Sequence, residues 1–175
     1  RQRQMCIRDR GYRTLLVTGD KDAYQLASDL TKIVTTKRGI TDVVIYGPEE
    51  VEERYGVTPD QFTDFLGLKG DKADNIPGVP GIGDKKAASM LQAYGNLEGI
   101  YANLDKFKGK QLENLTNYKD DAFLSRQVAT IVRDADFELD LESISFPNFN
   151  VEQVTEAFTD VRMMAHLAKI LKLQG

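Results

Sequence analysis

Tryptophan is absent from the 175 residues, and cysteine and histidine occur once each. A single cysteine cannot build a disulfide framework or a Cys-based zinc site. One histidine, His166, rules against a His-rich metal site and leaves little for a Ser-His-Asp triad. No apolar run approaches the roughly 20 residues needed to span a bilayer. Proline is scarce, at five residues, and 41% of the chain is apolar, a composition that folds rather than stays disordered. Charge, by contrast, is plentiful at 29% of residues: 27 Asp and Glu against 23 Lys and Arg give a net charge of −4. An acidic chain is no general polyanion binder. Contact with nucleic acid requires a local basic patch or bound cations. The length suits one ordinary domain or two small ones.

Residues 1–10 read RQRQMCIRDR, with four arginines and the only cysteine and with neither helical nor strand periodicity. The stretch resembles adaptor-derived sequence more than a natural terminus, and the plain alternative is a frayed basic arm. From Gly11 the pattern changes. Tyr12–Thr18 is a short apolar run of strand length, followed by a helical pattern over Asp22–Leu30. Lys32–Thr36 and Val43–Tyr46 are β-branched and strand-like. Pro48 opens a helix over Glu49–Tyr55, with acids beside its N-terminal dipole. This alternation predicts an α/β sheet, with two or three strands visible and more expected before Gly11. A sheet without its leading strands exposes an unpaired edge, so marginal solubility is expected.

After Thr58 the pattern is helical: Asp60–Leu68 with a Phe62, Phe65, Leu66 stripe, then Asp84–Tyr94, Leu97–Leu104, Lys110–Val132, Val151–Phe158 and Arg162–Leu171. Asp136–Leu141 alternates and reads as extended. Between the first two of these helices, Gly70–Gly83 holds four glycines and two prolines in fourteen residues.

Two acidic constellations stand out. In Thr18-Gly19-Asp20-Lys21-Asp22 the aspartates are two apart, which places both on one side of an extended segment just past a strand's carboxyl end. In Gly70-Asp71-Lys72-Ala73-Asp74 they are three apart, and a helical turn would put both on one face. Each has an ordinary explanation in helix capping or turn chemistry, and a DxD also occurs in sugar-nucleotide transferases. Together, four carboxylates from two chain sites suit Mg²⁺ or Mn²⁺. Two such ions about 4 Å apart stabilise an in-line phosphoryl displacement. The acids would then explain how an acidic chain attracts phosphate.

Next along the chain, Gly81-Ile82-Gly83 precedes a helix with Lys85 and Lys86 in its first turn. Glycine permits close backbone approach, the helix start offers free N–H groups, and lysines add charge without base specificity. A tight inter-helix connection with solvated lysines is the plain alternative. Lys106, Lys108, Lys110 and Lys119 read as a solvated face rather than a DNA track. Arg126 is an isolated cation in an apolar helix, to be paired with a site acid or a surface carboxylate. His166 reads as a packing or hydrogen-bonding residue.

Asp71–Leu91 resembles the helix–three-turn–helix segment of the 5′-nuclease superfamily. Further motifs extend the likeness from Gly11 to Gly175: TGDKD at Thr18–Asp22, YGPEEV at Tyr46–Val51, YGVTPDQFTDFLGLKGDKADNIPGVPGIG at Tyr55–Gly83 and FLSRQVATI at Phe123–Ile131. All resemble the 5′→3′ exonuclease domain of bacterial DNA polymerases I. The resemblance implies an α/β fold: a partial parallel-sheet nuclease core lacking its leading strands over residues 11–56, then a mostly helical DNA-binding region over 57–175. It implies a cytoplasmic, monomeric, metal-dependent 5′→3′ exonuclease and flap endonuclease acting on duplex or flapped DNA and on RNA primers. Asp20, Asp22, Asp71 and Asp74 would be catalytic metal ligands for Mg²⁺ or Mn²⁺, a pair of ions in the family's manner. Gly78, Gly81, Ile82, Gly83, Lys85 and Lys86 would hold the DNA backbone, and the Val79 and Ile82 carbonyls would take K⁺. The family's amino-terminal half carries further acidic ligands and a basic helical arch, which do not match anything from Gly11 to Gly175. The chain therefore corresponds to the carboxyl-terminal half, with little or no activity expected alone and a polymerase domain possible beyond it. A non-enzymatic helix-hairpin-helix module that binds duplex DNA is the alternative.

Overall fold

The computed structural model describes residues 11–38, 42–133 and 149–173. The basic stretch 1–10 and the extended pattern at 136–141 lie outside them. The chain divides into two compact units, residues 1–135 and 136–175.

In the first unit, β1 (Thr14–Val17), β2 (Thr31–Arg38) and β3 (Asp42–Tyr46) form a sheet in that order. β1 and β2 are parallel, with Thr14 opposite Thr31 and Val17 opposite Val34. β3 returns antiparallel to β2, Ile33 facing Tyr46 and Thr36 facing Val43, with a bulge between Thr36 and Arg38. The parallel pairing is thus that of β1 and β2, and the third strand makes the sheet mixed. The helical pattern read over Asp22–Leu30 is a single 3₁₀ segment, Lys21–Leu26. Asp20 caps it by accepting from the Asp22 N–H at 3.0 Å. It ends early because Ser28 takes up the start of β2: its Oγ accepts from Thr31 N–H at 3.0 Å and its own N–H donates to Thr31 O.

Residue alternation gives the sheet two faces. Leu16, Ile33, Val44 and Tyr46 turn inward to the core. Leu15 and Val17 on β1, and Val43 and Ile45 on β3, lie on the other face and are 64, 70, 46 and 51% exposed. β1 is an edge strand with no partner on its far side among the described residues. A bare apolar face beside an open edge invites association. The 19.6 kDa chain is expected to elute ahead of the monomer position in size-exclusion chromatography as its concentration rises. Leu15→Lys with Val17→Lys should return it, and a clean monomer peak from the unaltered chain would contradict this.

The helices follow: α1 (Pro48–Tyr55), α2 (Phe62–Lys69), α3 (Asp84–Tyr94), α4 (Leu97–Ala102), α5 (Gly109–Asn117) and α6 (Lys119–Ala129). The long helical pattern over 110–132 breaks at Tyr118, which separates α5 from α6. α2 is the hub. Phe62, Phe65, Leu66 and Leu68 are all at most 1% exposed, so it is buried around most of its circumference, as a central helix must be, with Asp64 the one buried charge on it. Each such side chain contributes roughly 1.5–3 kcal/mol. Gly67 lets α6 approach closely: a Cβ there would stand 2.9 Å from Ala122 O. Tyr24, Tyr46, Tyr55, Phe62 and Phe65 cluster between sheet and helices in edge-to-face and tilted pairs, with centroids 5.0–6.0 Å apart. These rings are core and not a surface for bases. The stretch behind Asp20 and the loop after α2 therefore rest on one shared core.

In the second unit, α7 (Val151–Asp160) is capped by Asn150, whose Oδ1 accepts from Gln153 N–H, and α8 (Met164–Leu171) buries Leu167 while His166 stays exposed. No helix among the described residues is long and apolar enough to cross a membrane.

Candidate metal centre and nucleic-acid interface

Beyond β1, Thr18 Oγ1 accepts from Asp20 N–H at 3.1 Å, and Asp20 Oδ1 in turn holds Asp22 N–H. This pair of short bonds fixes the chain direction after the strand. Asp20 is exposed and Asp22 half-buried. The second acidic pair does not lie on a helical turn. Residues 71–76 form a closed loop in which Asp71 N–H donates to Ile76 O (3.0 Å) and Ile76 N–H to Asp71 O (2.8 Å). Asp71 Oδ1 also accepts from Ala73 N–H at 2.9 Å, and Asn75 takes φ +57° to complete the reversal. Asp71 is buried at 8% exposure, while Asp74 faces solvent.

The two pairs converge electrostatically. The Asp22 carboxyl is pushed up to about 6, first by burial and then by the charges of Asp20, Asp74 and Asp71, with Lys21 opposing weakly. Asp22 Oδ1 is buried and has no hydrogen-bond partner. Lys21 reaches across to Asp71, Nζ to Oδ2 3.9 Å. It links the two acidic stretches, a role its own sequence position does not announce. Among the described residues, no three Asp, Glu, His or Cys side chains gather closely enough to hold one metal ion. The donor chemistry thus fits hard divalent cations, with an orphaned carboxylate oxygen and mutual repulsion both relieved by positive charge. The spacing is wider than a coordination sphere.

A consequence follows for stability. A carboxyl whose folded value lies near 6 and whose ordinary value is 3.8 costs stability while ionised, fully above pH 6. The cost fades as pH falls from about 6 towards 4, because the folded chain takes up the proton first. Asp22→Asn is therefore expected to melt above the unaltered chain at pH 7.5, and the gap should close near pH 4. A gap independent of pH in thermal melts would contradict the cause given.

The glycine-rich turn follows the acidic loop. Gly70 (φ +73°) and Gly78 (φ +60°) cross backbone to backbone: a Cβ on Gly78 would stand 2.2 Å from Gly70 N. Val79 N–H then donates to Leu68 O at 2.7 Å, and Ile82 N–H to Val79 O at 3.1 Å. The next two carbonyls are held by side chains: Asn114 Nδ2 donates to Pro80 O (2.6 Å) and Lys86 Nζ to Gly81 O (3.1 Å). α3 starts at Gly83, where no side chain caps it, so its first N–H groups face outward with the positive end of the helix. Gly81, Gly83, Lys85 and Lys86 are exposed at this end; Gly78, Val79 and Ile82 are buried beneath it. Lys69 Nζ pairs with Asp84 at 3.0 Å and ties the end of α2 to the start of α3.

Other residues resolve plainly. Arg126 pairs with Asp64 and Glu98 and with none of the four site acids. Lys106 pairs with Asp105 and Lys110 with Glu113, both exposed, as a solvated face requires. Lys119 stands over the Tyr101 ring. Sequence reasoning did not find Ser125, Asn114 or Gln25. Their partners lie 47, 34 and 104 residues away, and the only available hint was a polar residue inside an apolar helical stripe.

With this geometry in view, the chain can be set beside known proteins. DNA polymerase I of Bacillus subtilis (strain 168) is 44% identical over 152 residues, which is 86% of this chain but 17% of that protein. DNA polymerase I of Geobacillus stearothermophilus is 45% identical over 161 residues, covering 91% and 18% respectively. The chain thus spans about a sixth of the length of these relatives. A variant of the T5 5′-exonuclease superposes with a TM-score of 0.56 at 26% identity, over 66% of this chain and 46% of that one. The family model described as 5′-3′ exonuclease, C-terminal SAM fold, matches residues 57–152. That match covers more than half of the chain, and the fold, the motifs and the relatives agree with it: the chain belongs to the 5′-3′ exonuclease family.

Proposed function

We propose that the chain forms the part of a metal-dependent, structure-specific 5′→3′ nuclease that supplies four carboxylates and a grip on duplex DNA. The observation that carries this reading is the convergence on Asp22: one buried, unpartnered carboxylate oxygen feels Asp20, Asp71 and Asp74 together. Those four residues would hold Mg²⁺ or Mn²⁺, two ions in the full site. When bound, such ions supply charge stabilisation at the phosphoryl oxygens and activation of water. The chain's own part is to orient and exclude. Asp20 and Thr18 fix the first acidic turn, the closed 71–76 loop fixes the second, and Lys21 shields the carboxylates from one another. Gly81, Gly83, Lys85 and Lys86 would take successive phosphates of one strand through backbone N–H groups and ammonium charge, with Gly78 and Ile82 shaping the turn from inside. The Val79 and Ile82 carbonyls are the proposed K⁺ donors; Val79 O keeps one lone pair beyond its bond from Ile82 N–H.

The substrates proposed are 5′ flaps, nicked duplexes and RNA primers on DNA, in the bacterial cytoplasm, with the polymerase of the longer relatives as a further domain. Residues 11–56 would be the trailing part of the nuclease core and 57–175 the helical DNA-binding region; the family match beginning at residue 57 supports that division. A flap endonuclease of bacteriophage T5, similar in fold at 23% identity and a TM-score of 0.57, over 91% of this chain and 52% of that one, has been seen in a pseudo-enzyme–product complex with DNA and metal ions. We propose little or no cleavage by the chain alone, because among the described residues its acids stand wider apart than one coordination sphere and would hold an ion only loosely. The same observation favours the second reading, a duplex-binding module whose aspartates serve as caps and turns.

Three measurements decide. Mn²⁺ should broaden amide resonances at residues 20–22 and 71–76, and Asp20→Asn with Asp71→Asn should abolish this; no metal effect would leave the binding module. Duplex affinity should fall steeply with salt, and Lys85→Gln and Lys86→Gln should each lower the log–log slope by about 1. A flat salt dependence would sink both readings. Mg²⁺-dependent flap cleavage near the rate of a full domain, lost in Asp71→Asn, would overturn the proposed inactivity.

A further inference from the structure

We infer that Ser125 is a positioning residue serving both halves of the proposed site, because it pins the backbone joint where the acidic loop ends and the phosphate turn begins. The inference rests on the functional reading above and names a residue which that reading does not use.

The joint is the Gly70–Gly78 crossing. Its two strands touch so closely that neither glycine tolerates a side chain: a Cβ on Gly70 would stand 2.5 Å from Ile76 O and 2.7 Å from Pro77 O, and one on Gly78 would stand 2.2 Å from Gly70 N. Residues 71–76 lie on one side of the crossing and carry Asp71 and Asp74. Residues 79–83 lie on the other and carry the turn into α3. The crossing is flanked by the Asp71–Ile76 pair on one side and by Val79 N–H on Leu68 O on the other, while the two glycine amides themselves bond elsewhere. Gly70 N–H is spent on Leu66 O, the last turn of α2. Gly78 N–H points away from the loop into the core and donates to Ser125 Oγ at 3.1 Å. Ser125 is 1% exposed, so water cannot replace it, and a buried N–H without a partner is costly.

What gives this bond reach beyond local stability is where α6 goes next. Four residues on, Ala129 O accepts from Gln25 Nε2 at 2.8 Å, and Ile131 N–H donates to Gln25 Oε1 at 2.9 Å. Gln25 is buried and lies three residues beyond Asp22. The same helix therefore holds the first acidic turn through Gln25 and the second acidic loop and phosphate turn through Ser125. Its close packing on α2 at Gly67 makes it a stiff strut. The strut sets the spacing between the carboxylates and the phosphate grip. In a nuclease that reads shape and not sequence, that spacing selects which phosphodiester is presented.

The test uses the whole chain with Ser125→Ala, with Ser125→Cys, which keeps volume with a poorer acceptor, and with Ile100→Val as a fully buried control of comparable stability loss. Three readouts are taken: Mn²⁺ broadening at residues 71–76, affinity for a short DNA duplex, and hydrogen exchange of the Gly78 amide. The expected result is that both Ser125 variants lose duplex affinity by roughly tenfold, lose the Mn²⁺ broadening and exchange the Gly78 amide faster, while Ile100→Val changes none of these. If Ser125→Cys melts lower but keeps metal broadening and affinity, or loses one without the other, the inference is overturned and the functional reading stands. If the unaltered chain shows neither Mn²⁺ broadening nor duplex binding, the functional reading fails and the inference falls with it.

Discussion

Arg126→Met is expected to destabilise the fold by about 3 kcal/mol, a fall in melting temperature on the order of 9 °C for a chain of this size. Asp64 lies on the hub helix α2 at 6% exposure, between phenylalanines. Its Oδ1 accepts from Arg126 Nη1 at 3.0 Å and its Oδ2 from Leu97 N–H at 3.3 Å, so it joins α6 to the start of α4. Burial still pushes its carboxyl up, ahead of the opposing effect of Arg126. Remove the guanidinium and the carboxyl must either stay charged without a partner or take a proton at neutral pH; both cost. The same arginine also forks onto Glu98 at 2.8 and 2.9 Å, and that hydrogen bond leads the effects holding Glu98 below the ordinary carboxylate range. Glu98 is largely exposed, however, and Glu98→Ala should cost less than about 1 kcal/mol. One cation thus holds two carboxylates of very different worth, and chemical denaturation of the two variants measures the difference. Adding Asp64→Asn to Arg126→Met should recover part of the loss, because no charge is then left stranded. Equal costs for Arg126→Met and Glu98→Ala would show that the buried half of the network carries nothing.

That network also shows what the sequence could and could not disclose. The apolar stripe was plain: Phe62, Phe65 and Leu66 all lie in the core as their spacing requires. A period in hydrophobicity is a local property, and helix formation is a local event, so the two agree. Arg126 was visible as a lone cation among apolar neighbours. Its partner was not, since Asp64 is 62 residues away, but Asp64 is the same anomaly in reverse, a lone acid inside an apolar helix. Two such singletons in separate helices are a usable signal. The acidic pairs were legible as residue types but not as geometry. Asp71 and Asp74 fit a helical turn by count alone. The closed loop is instead imposed by Asn75 at positive φ and by the two glycines that cross behind it. The antiparallel return of β3 follows from a short connection after β2, which a parallel crossover could not accommodate. Gln25 and Ser125 offered no more than the faint hint of a polar residue inside an apolar stripe, because their bonds exist only once the fold has closed.

Gly78→Ala is expected to have the larger local effect: loss of duplex binding and of Mn²⁺ broadening together, with destabilisation of about 3–5 kcal/mol summed from left-handed backbone strain and overpacking. Gly78 needs φ +60°, and its missing Cβ is replaced by backbone atoms of Lys69 and Gly70 at 2.2–2.7 Å. Backbone cannot swing aside as a long side chain can, so the crossing must open. When it opens, Gly78 N–H leaves Ser125 and Val79 N–H leaves Leu68 O, and the acidic loop and the phosphate turn are released at once. Gly83→Ala supplies the contrast. Gly83 is exposed at the start of α3, in extended backbone with φ −106°, and nothing lies within 4 Å of a Cβ built there. The fold should lose no more than about 1 kcal/mol, the cost of alanine at an N-cap, since the new methyl touches nothing. A phosphate approaching the helix start would notice it, because the methyl stands beside the free N–H groups. The pair therefore separates a glycine required by the fold from one required by the ligand. Thermal melts should fall far more for Gly78→Ala than for Gly83→Ala, while duplex affinity should fall for both. Full affinity in Gly83→Ala would remove the helix start from the DNA interface, and a Gly78→Ala chain that melts normally would show that the crossing is not the rigid joint on which both halves of the site depend.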